Sequence, residues 1–222
     1  MKATDWTEYY GKKKSWFSTY TQQFTQDAIE NAILKYTPAK YGEPIEILEL
    51  GGGNSCFSEQ ICRRFHVKTY NIIDNNALAV KLFDGIDLNA DEHQGLLINL
   101  LDKENIPARK YDFVFSVGLI EHFRGGDIRT VIDQHYLHCK EGGCVMITFP
   151  TPTKRYRVTR KLMERAGLWQ FHDEKPILWH EQAEHFASCG KILSRHVNWK
   201  LPLTQLMVIS RNDGRIADRL PK

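Results

Sequence analysis

Two textures divide this chain. Over the first 40 residues, large apolar side chains recur at mixed three-, four- and seven-residue spacings: Trp6, Tyr9, Tyr10, Trp16, Phe17, Tyr20 and Phe24, with Ala28, Ile29, Ala32 and Ile33 continuing the stripe. That spacing predicts helices, and Pro38 with Gly42-Glu43-Pro44 ends them. From residue 45, short apolar runs alternate with helical patterns. Ile45–Leu50 predicts a buried strand and Ser55–Phe65 a helix; Thr69–Ile73, Leu96–Leu100 and Phe113–Val117 predict three more strands. A helix over Asp127–His138 follows, and Gly142-Gly143 turns into a fifth strand, Cys144–Phe149. Such alternation predicts βαβ units and a parallel sheet covered by helices on both faces. The tail departs from it. A helix near His180 is followed by two strand-like runs, Lys191–Trp199 and Thr204–Arg211, joined only by Lys200 to Leu203. So short a link allows a hairpin and no crossover helix, so the last pair is expected to be antiparallel. The fold class is α/β: a three-layer αβα sandwich on a seven-stranded, mostly parallel sheet.

Composition narrows the function classes. The 222 residues are 42% apolar and 11% aromatic, enough for a core and against intrinsic disorder. At about 150 residues per domain this is one domain. Thirty basic residues against 27 acidic ones leave a net charge of +3, too balanced to indicate a nucleic-acid partner. Five cysteines with no C-x-x-C pair argue against a disulfide framework or a cysteine-rich zinc site and for buried, reduced thiols. Met1 to Tyr20 lacks the apolar stretch of a secretory signal. No apolar run approaches the roughly 18 residues of a spanning helix. The expected location is cytoplasmic.

Candidate chemistry begins at Glu49-Leu50-Gly51-Gly52-Gly53-Asn54-Ser55, where the first strand hands over to the first helix. Glycines there let the chain turn tightly and let a ligand approach the backbone, and in an open α/β sheet ligands bind beyond the carboxyl ends of the strands. A dinucleotide fingerprint would need a third glycine where Cys56 stands, and no Lys-Ser/Thr follows to make a phosphate loop. Glu49 at the strand tip would repel a pyrophosphate but suits a ligand carrying an ammonium and a sulfonium.

These residues resemble the first motif of the class I S-adenosylmethionine-dependent methyltransferases, in their broad small-molecule branch. The resemblance extends over about residues 45–149 and implies a Rossmann-like fold with S-adenosylmethionine as cofactor. Asp74, closing Tyr70-Asn71-Ile72-Ile73-Asp74, matches the acidic residue that accepts the ribose hydroxyls, with Asn75 beside it; capping of the next helix is the structural alternative. Asn99, with Leu100, stands where the family usually carries an Asp at the adenine edge. Ser116-Val117-Gly118-Leu119-Ile120-Glu121-His122-Phe123 is similar to the fourth-strand motif lining the methionine end of the pocket. The cofactor set implied is Glu49, Gly51, Gly52, Gly53, Asp74, Asn75, Asn99, Leu100, Ser116 and Val117. As one methyltransferase domain the chain then divides into an N-terminal helical cap (1–43), a cofactor-binding core (44–150), a substrate-cover connection (151–189) and the terminal hairpin (190–211). An NAD(P)-binding oxidoreductase and a non-catalytic module of the same fold are the alternatives.

Methyl transfer from a sulfonium needs chiefly a nucleophile held in line and near 3 Å from the methyl, and a hydroxyl also needs a general base. His122 and Glu121, after the fourth strand, are the expected catalytic pair; packing under the next helix is the other use of His122. Gly118 stands where metal-dependent relatives carry an acid, and His180 and His185 point about 140° apart on a helix, so no metal is expected. Lys154, Arg155, Arg157, Arg160, Lys161 and Arg165, against Glu164, make a basic connection after the fifth strand, with Val158, Leu162, Met163 and Ala166 as its apolar face. Tyr9, Tyr156, Arg157 and His180 are the expected substrate residues. The acceptor is read as a small molecule, a saccharide or natural-product precursor with phosphate-bearing saccharides among the candidates, methylated on oxygen. The cations also leave room for contact with an anionic membrane surface.

Overall fold

The computed structural model describes residues 4–11, 16–102, 107–200 and 202–216, without the side chains of residues 16–21, so Trp16, Phe17 and Tyr20 lie outside the described side chains. Its helices are α1 (Trp6–Gly11), α2 (Trp16–Tyr36), α3 (Ser58–Arg64), α4 (Ala77–Asp84), α5 (Gly126–Leu137), α6 (Lys154–Arg165) and α7 (Trp179–Cys189). Its strands are β1 (Ile45–Leu50), β2 (Val67–Asp74), β3 (Ala90–Leu97), β4 (Tyr111–Val117), β5 (Cys139–Pro150), β6 (Lys191–Asn198) and β7 (Gln205–Arg211). They form one seven-stranded sheet in the order β3-β2-β1-β4-β5-β7-β6. The five strands β1 to β5 run parallel, while β7 is antiparallel to both β5 and β6.

The period of two along the strands builds both outer layers. From β1 and β4, Ile45, Ile47, Phe113 and Phe115 point to one face and meet Ile29 and Ile33 of α2, Ile61 of α3 and Phe83 of α4. Leu48, Leu50 and Val114 point to the other and meet Val131, Ile132 and Tyr136 of α5 and Phe186 of α7. Sheet burial on both faces is why β1 and β4 read as predominantly apolar runs without a polar alternation.

Two strands differ from the expected ones. β3 is Ala90–Leu97, and Leu96–Leu100 lies mostly beyond its end. It pairs only with β2, so as an edge strand it is half-exposed and polar, and it lacks the apolar run that marks a buried strand. β5 starts at Cys139, before the glycine pair. Between Tyr111 and Phe113 its partner shifts from Cys139 to Cys144, so Gly142-Gly143 makes an irregularity inside the strand, with Gly142 at φ 78°.

The connection after β5 differs more. The supposed apolar face of α6 is open: Val158 and Leu162 are exposed, and Tyr156 is the buried residue of the helix. None of the five cysteines is in a disulfide; four are buried, but Cys56 is exposed on the loop before α3.

Candidate functional site

The candidate cleft is at the carboxyl ends of β1, β2 and β4, where the sequence-predicted residues Gly51, Asp74 and His122 gather. At the end of β1 the chain turns through Gly51 (φ 64°) and Gly53 (φ 55°), left-handed conformations that favour glycine. A Cβ on Gly51 would come within 2.5 Å of Leu119 Cδ1, and one on Gly53 would strike the ring of Tyr10. The loop is braced from beneath. Glu49 is buried, and its Oε2 accepts from Ser55 Oγ (2.6 Å) and Tyr70 OH (2.8 Å). Glu49 was expected to face a ligand from the strand tip; this oxygen instead holds the loop, and Gly52 leaves the space its carboxyl group fills.

Asp74 ends β2 and completes the floor. Its Oδ2 accepts from Gly53 N and its Oδ1 from Asn76 N, both at 2.9 Å. Burial raises its pKa, against the lowering effect of the backbone amides of Asn76, Gly53 and Asn75. It does not cap α4. Asn76 does so, through a 3.0 Å bond from Ala79 N. The sequence-predicted neighbours divide. Asn75 is exposed beside Asp74, and Asn99 is exposed in the turn after β3, its Oδ1 taking Leu101 N at 3.1 Å. Leu100 is buried in the core.

Ser116 turns away from the cleft. The Val131 carbonyl can only accept, so His135 Nδ1 donates to it (2.8 Å) and Nε2 accepts from Ser116 Oγ (2.8 Å). Complete burial pushes the His135 pKa down to about 3. Val117 closes β4, and Gly118 (φ 69°) bends the chain into a 3-10 turn, Ile120–His122.

That turn brings a wall together. His122 lies edge-on to Trp6 (5.0 Å between ring centres) and to Phe171 (6.3 Å). Tyr9 packs against Trp6 (5.6 Å), Tyr10 (5.3 Å) and Phe171 (5.5 Å). His122 Nδ1 is 3.3 Å from Asp173 Oδ1, without the alignment of a hydrogen bond and an ion pair only when the ring is protonated. Thr4 Oγ1 also donates to Asp173. Burial lowers the His122 pKa, and Asp173 only partly opposes it. Glu121 is buried, and burial with the nearby Glu174 and Asp173 carboxylates drives its pKa well up. Its Oε2 has no hydrogen-bond partner among the described residues.

The four substrate candidates are not brought together. Tyr9 belongs to the aromatic wall. Tyr156 is buried, donates to Glu174 and receives Arg160 Nη1 at 3.2 Å. Arg157 and His180 are exposed on α6 and α7. His185 faces α5 instead, pairing with Asp133 at 2.8 Å. Two cations of the connection are engaged within the protein: Arg155 donates to the Trp199 carbonyl (2.6 Å), and Arg160 pairs along the helix with Glu164 (2.9 Å) and reaches inward to the Tyr156 hydroxyl (3.2 Å). Sequence reasoning missed Asp173 and Phe171, which sit in an irregular segment whose place is set by the fold alone. Trp6 and Tyr10 showed only as part of the N-terminal stripe.

A family model described as a methyltransferase domain matches residues 20–193. No curated protein matches. Among solved structures, magnesium protoporphyrin IX methyltransferase from Synechocystis PCC 6803, with bound S-adenosylhomocysteine, superposes with a TM-score of 0.69 at 11% identity over 93% of this chain and 92% of that one. An O-methyltransferase family protein from Burkholderia thailandensis gives 0.64 at 20% identity, over 87% and 57%. The N-methyltransferase NodS from Bradyrhizobium japonicum WM9 gives 0.57 at 14%, over 85% and 87%.

Proposed function

This chain belongs to the S-adenosylmethionine-dependent methyltransferases, and we propose that it methylates a hydroxyl of a small molecule, such as a saccharide or natural-product precursor, with His122 as general base. The observation that carries this reading is the His122 imidazole set against Asp173 inside an aromatic wall at the end of β4.

The residues fit the cofactor. Gly51 and Gly53 carry no Cβ to bar a ligand from the loop backbone, and the Tyr10 ring packed on Gly53 would have to swing aside for it. Asp74 takes the Gly53 amide on Oδ2 and the Asn76 amide on Oδ1, with the Asn75 amide also acting on it, and its remaining acceptor capacity would serve a ribose hydroxyl. The Asn99 amide would meet the adenine edge. Bound there, S-adenosylmethionine supplies a methyl group on an excellent leaving group.

The chain's own residues supply position and a proton acceptor. The lowered pKa keeps His122 neutral near pH 7, so one ring nitrogen can take the acceptor's hydroxyl proton. Asp173, 3.3 Å from Nδ1, stabilises the imidazolium that forms. Glu121 lies buried behind the turn, where desolvation and the Glu174 and Asp173 carboxylates favour its protonated form. Trp6, Tyr9 and Phe171 exclude water and offer ring faces to a sugar or a flat acceptor. Membership of this family weighs against an NAD(P)-dependent oxidoreductase.

The test is transfer of labelled methyl from S-adenosylmethionine to a panel of hydroxylated acceptors, with the product located by NMR. The reading expects O-methyl product and its loss in His122→Ala. Methylation only on nitrogen, or a His122→Ala enzyme of native rate, would overturn it.

A further inference from the structure

We propose that the outward face of α6 is a docking surface for an anionic lipid bilayer. The helix turns a narrow strip inward: Tyr156 is buried, with Thr159, Arg160 and Met163 half-buried beside it. Arg160 belongs to that inner side, bound to Glu164 and the Tyr156 hydroxyl, with its guanidinium 4.7 Å from the Trp169 ring centre. On the opposite side, Lys154, Val158, Lys161 and Arg165 fall within about 60° of the helix circumference, flanked by Arg157 and Leu162. All six are exposed. Val158 and Leu162 are each 60% exposed, and Leu168, just past the helix, is 63% exposed. Trp199, joined to the first turn of α6 through the Arg155 bond to its carbonyl, is 57% exposed.

Four apolar side chains standing in water among four cations select the occupant. A free phosphate or a nucleic acid would match the charge but leave Val158, Leu162 and Trp199 wet. A lipid surface satisfies both sets at once, with headgroup phosphates for Lys154, Arg157, Lys161 and Arg165 and acyl boundary for the apolar groups. The chain leaving this helix builds the aromatic wall: Trp169 is buried and packs edge-on against Phe171 at 5.8 Å. A docked α6 therefore holds that wall within a few residues of the membrane.

The experiment is co-sedimentation of the full chain with vesicles of phosphatidylcholine alone and of equal parts phosphatidylcholine and phosphatidylglycerol. Binding is expected only to the mixed vesicles. Lys161→Glu with Arg165→Glu should lower partitioning at least about 25-fold, because each cation near such a surface is worth about fivefold. Val158→Ser with Leu162→Ser, at unchanged charge, should lower it about tenfold. Both double variants should keep the wild-type circular dichroism and S-adenosylhomocysteine affinity. No binding to the anionic vesicles, or equal binding by the Val158/Leu162 variant, overturns the proposal. So does a concentration-dependent dimer in sedimentation velocity that the same variant abolishes, since a second copy would then cover the face.

Discussion

Asp74→Asn separates the two uses of this carboxylate. In the native protein Oδ2 takes Gly53 N and Oδ1 takes Asn76 N, each at 2.9 Å. Alanine would leave two amides without their acceptor at a cost of about 1–3 kcal/mol each, mixing loop collapse with lost ligand contact. Asparagine keeps one oxygen for one amide and turns its NH₂ against the other. The lost charge-assisted bond costs about 1.5–3 kcal/mol. Relief of a buried charge, whose pKa burial already raises, offsets part of this in folding. Nothing offsets it in binding, because one ribose hydroxyl also loses its acceptor. The dissociation constant for S-adenosylhomocysteine should therefore rise roughly 10- to 150-fold, while the variant stays folded. Calorimetric titration reads the affinity, and circular dichroism checks the fold. A folded variant that binds within twofold of wild type would refute the ribose assignment.

His122→Ala should lower kcat about 100- to 10,000-fold and leave S-adenosylhomocysteine affinity unchanged by calorimetry. In the wild type the acid limb of kcat should lie below the ordinary histidine value of about 6.5, with full activity above it and loss as pH falls through it, because burial lowers the His122 pKa. Asp173→Asn removes the carboxylate that raises that pKa, so the limb should move lower still; a limb that moves up contradicts the pairing. His135 is neutral in the fold with a pKa of about 3, so the unfolded chain binds a proton that the native one refuses. Stability in urea should thus fall progressively as pH drops below about 6.5 toward 3, and His135→Gln should flatten that dependence. Gly51→Ala, at φ 64° and against Leu119, should lose about 1–2 kcal/mol of stability and weaken cofactor binding, both measurable on one purified sample.

The central sheet was legible because β1 and β4 are buried on both faces and are therefore rich in large apolar residues, with their few polar side chains tied by hydrogen bonds. β3 was hidden for the opposite reason: an edge strand with the sequence Ala-Asp-Glu-His-Gln-Gly-Leu-Leu satisfies half its backbone through β2 and leaves the rest to water. At the site, Gly51, Gly53 and Asp74 could be read because a left-handed turn and a strand-end carboxylate leave local marks in the chain. Asp173 and Phe171 left none, since their approach to His122 is a matter of tertiary packing across about 50 residues of intervening chain. The connection was misread by helical periodicity. Val158 and Leu162 have the spacing of a buried face, but the tie of Tyr156 to Glu174 and Arg160 fixed the rotation of α6 and left them outside.

Hydrogen-exchange mass spectrometry with and without S-adenosylhomocysteine tests most directly whether one cleft, floored by the ends of β1 and β2 and covered by α1, holds the cofactor. Protection is expected in residues 49–56 and 72–78, where Gly53 N is tied to Asp74, and in α1, whose Tyr10 lies over Gly53. Residues 154–165 should exchange as before. Binding without protection at the glycine loop, or protection concentrated on α6, would contradict the account.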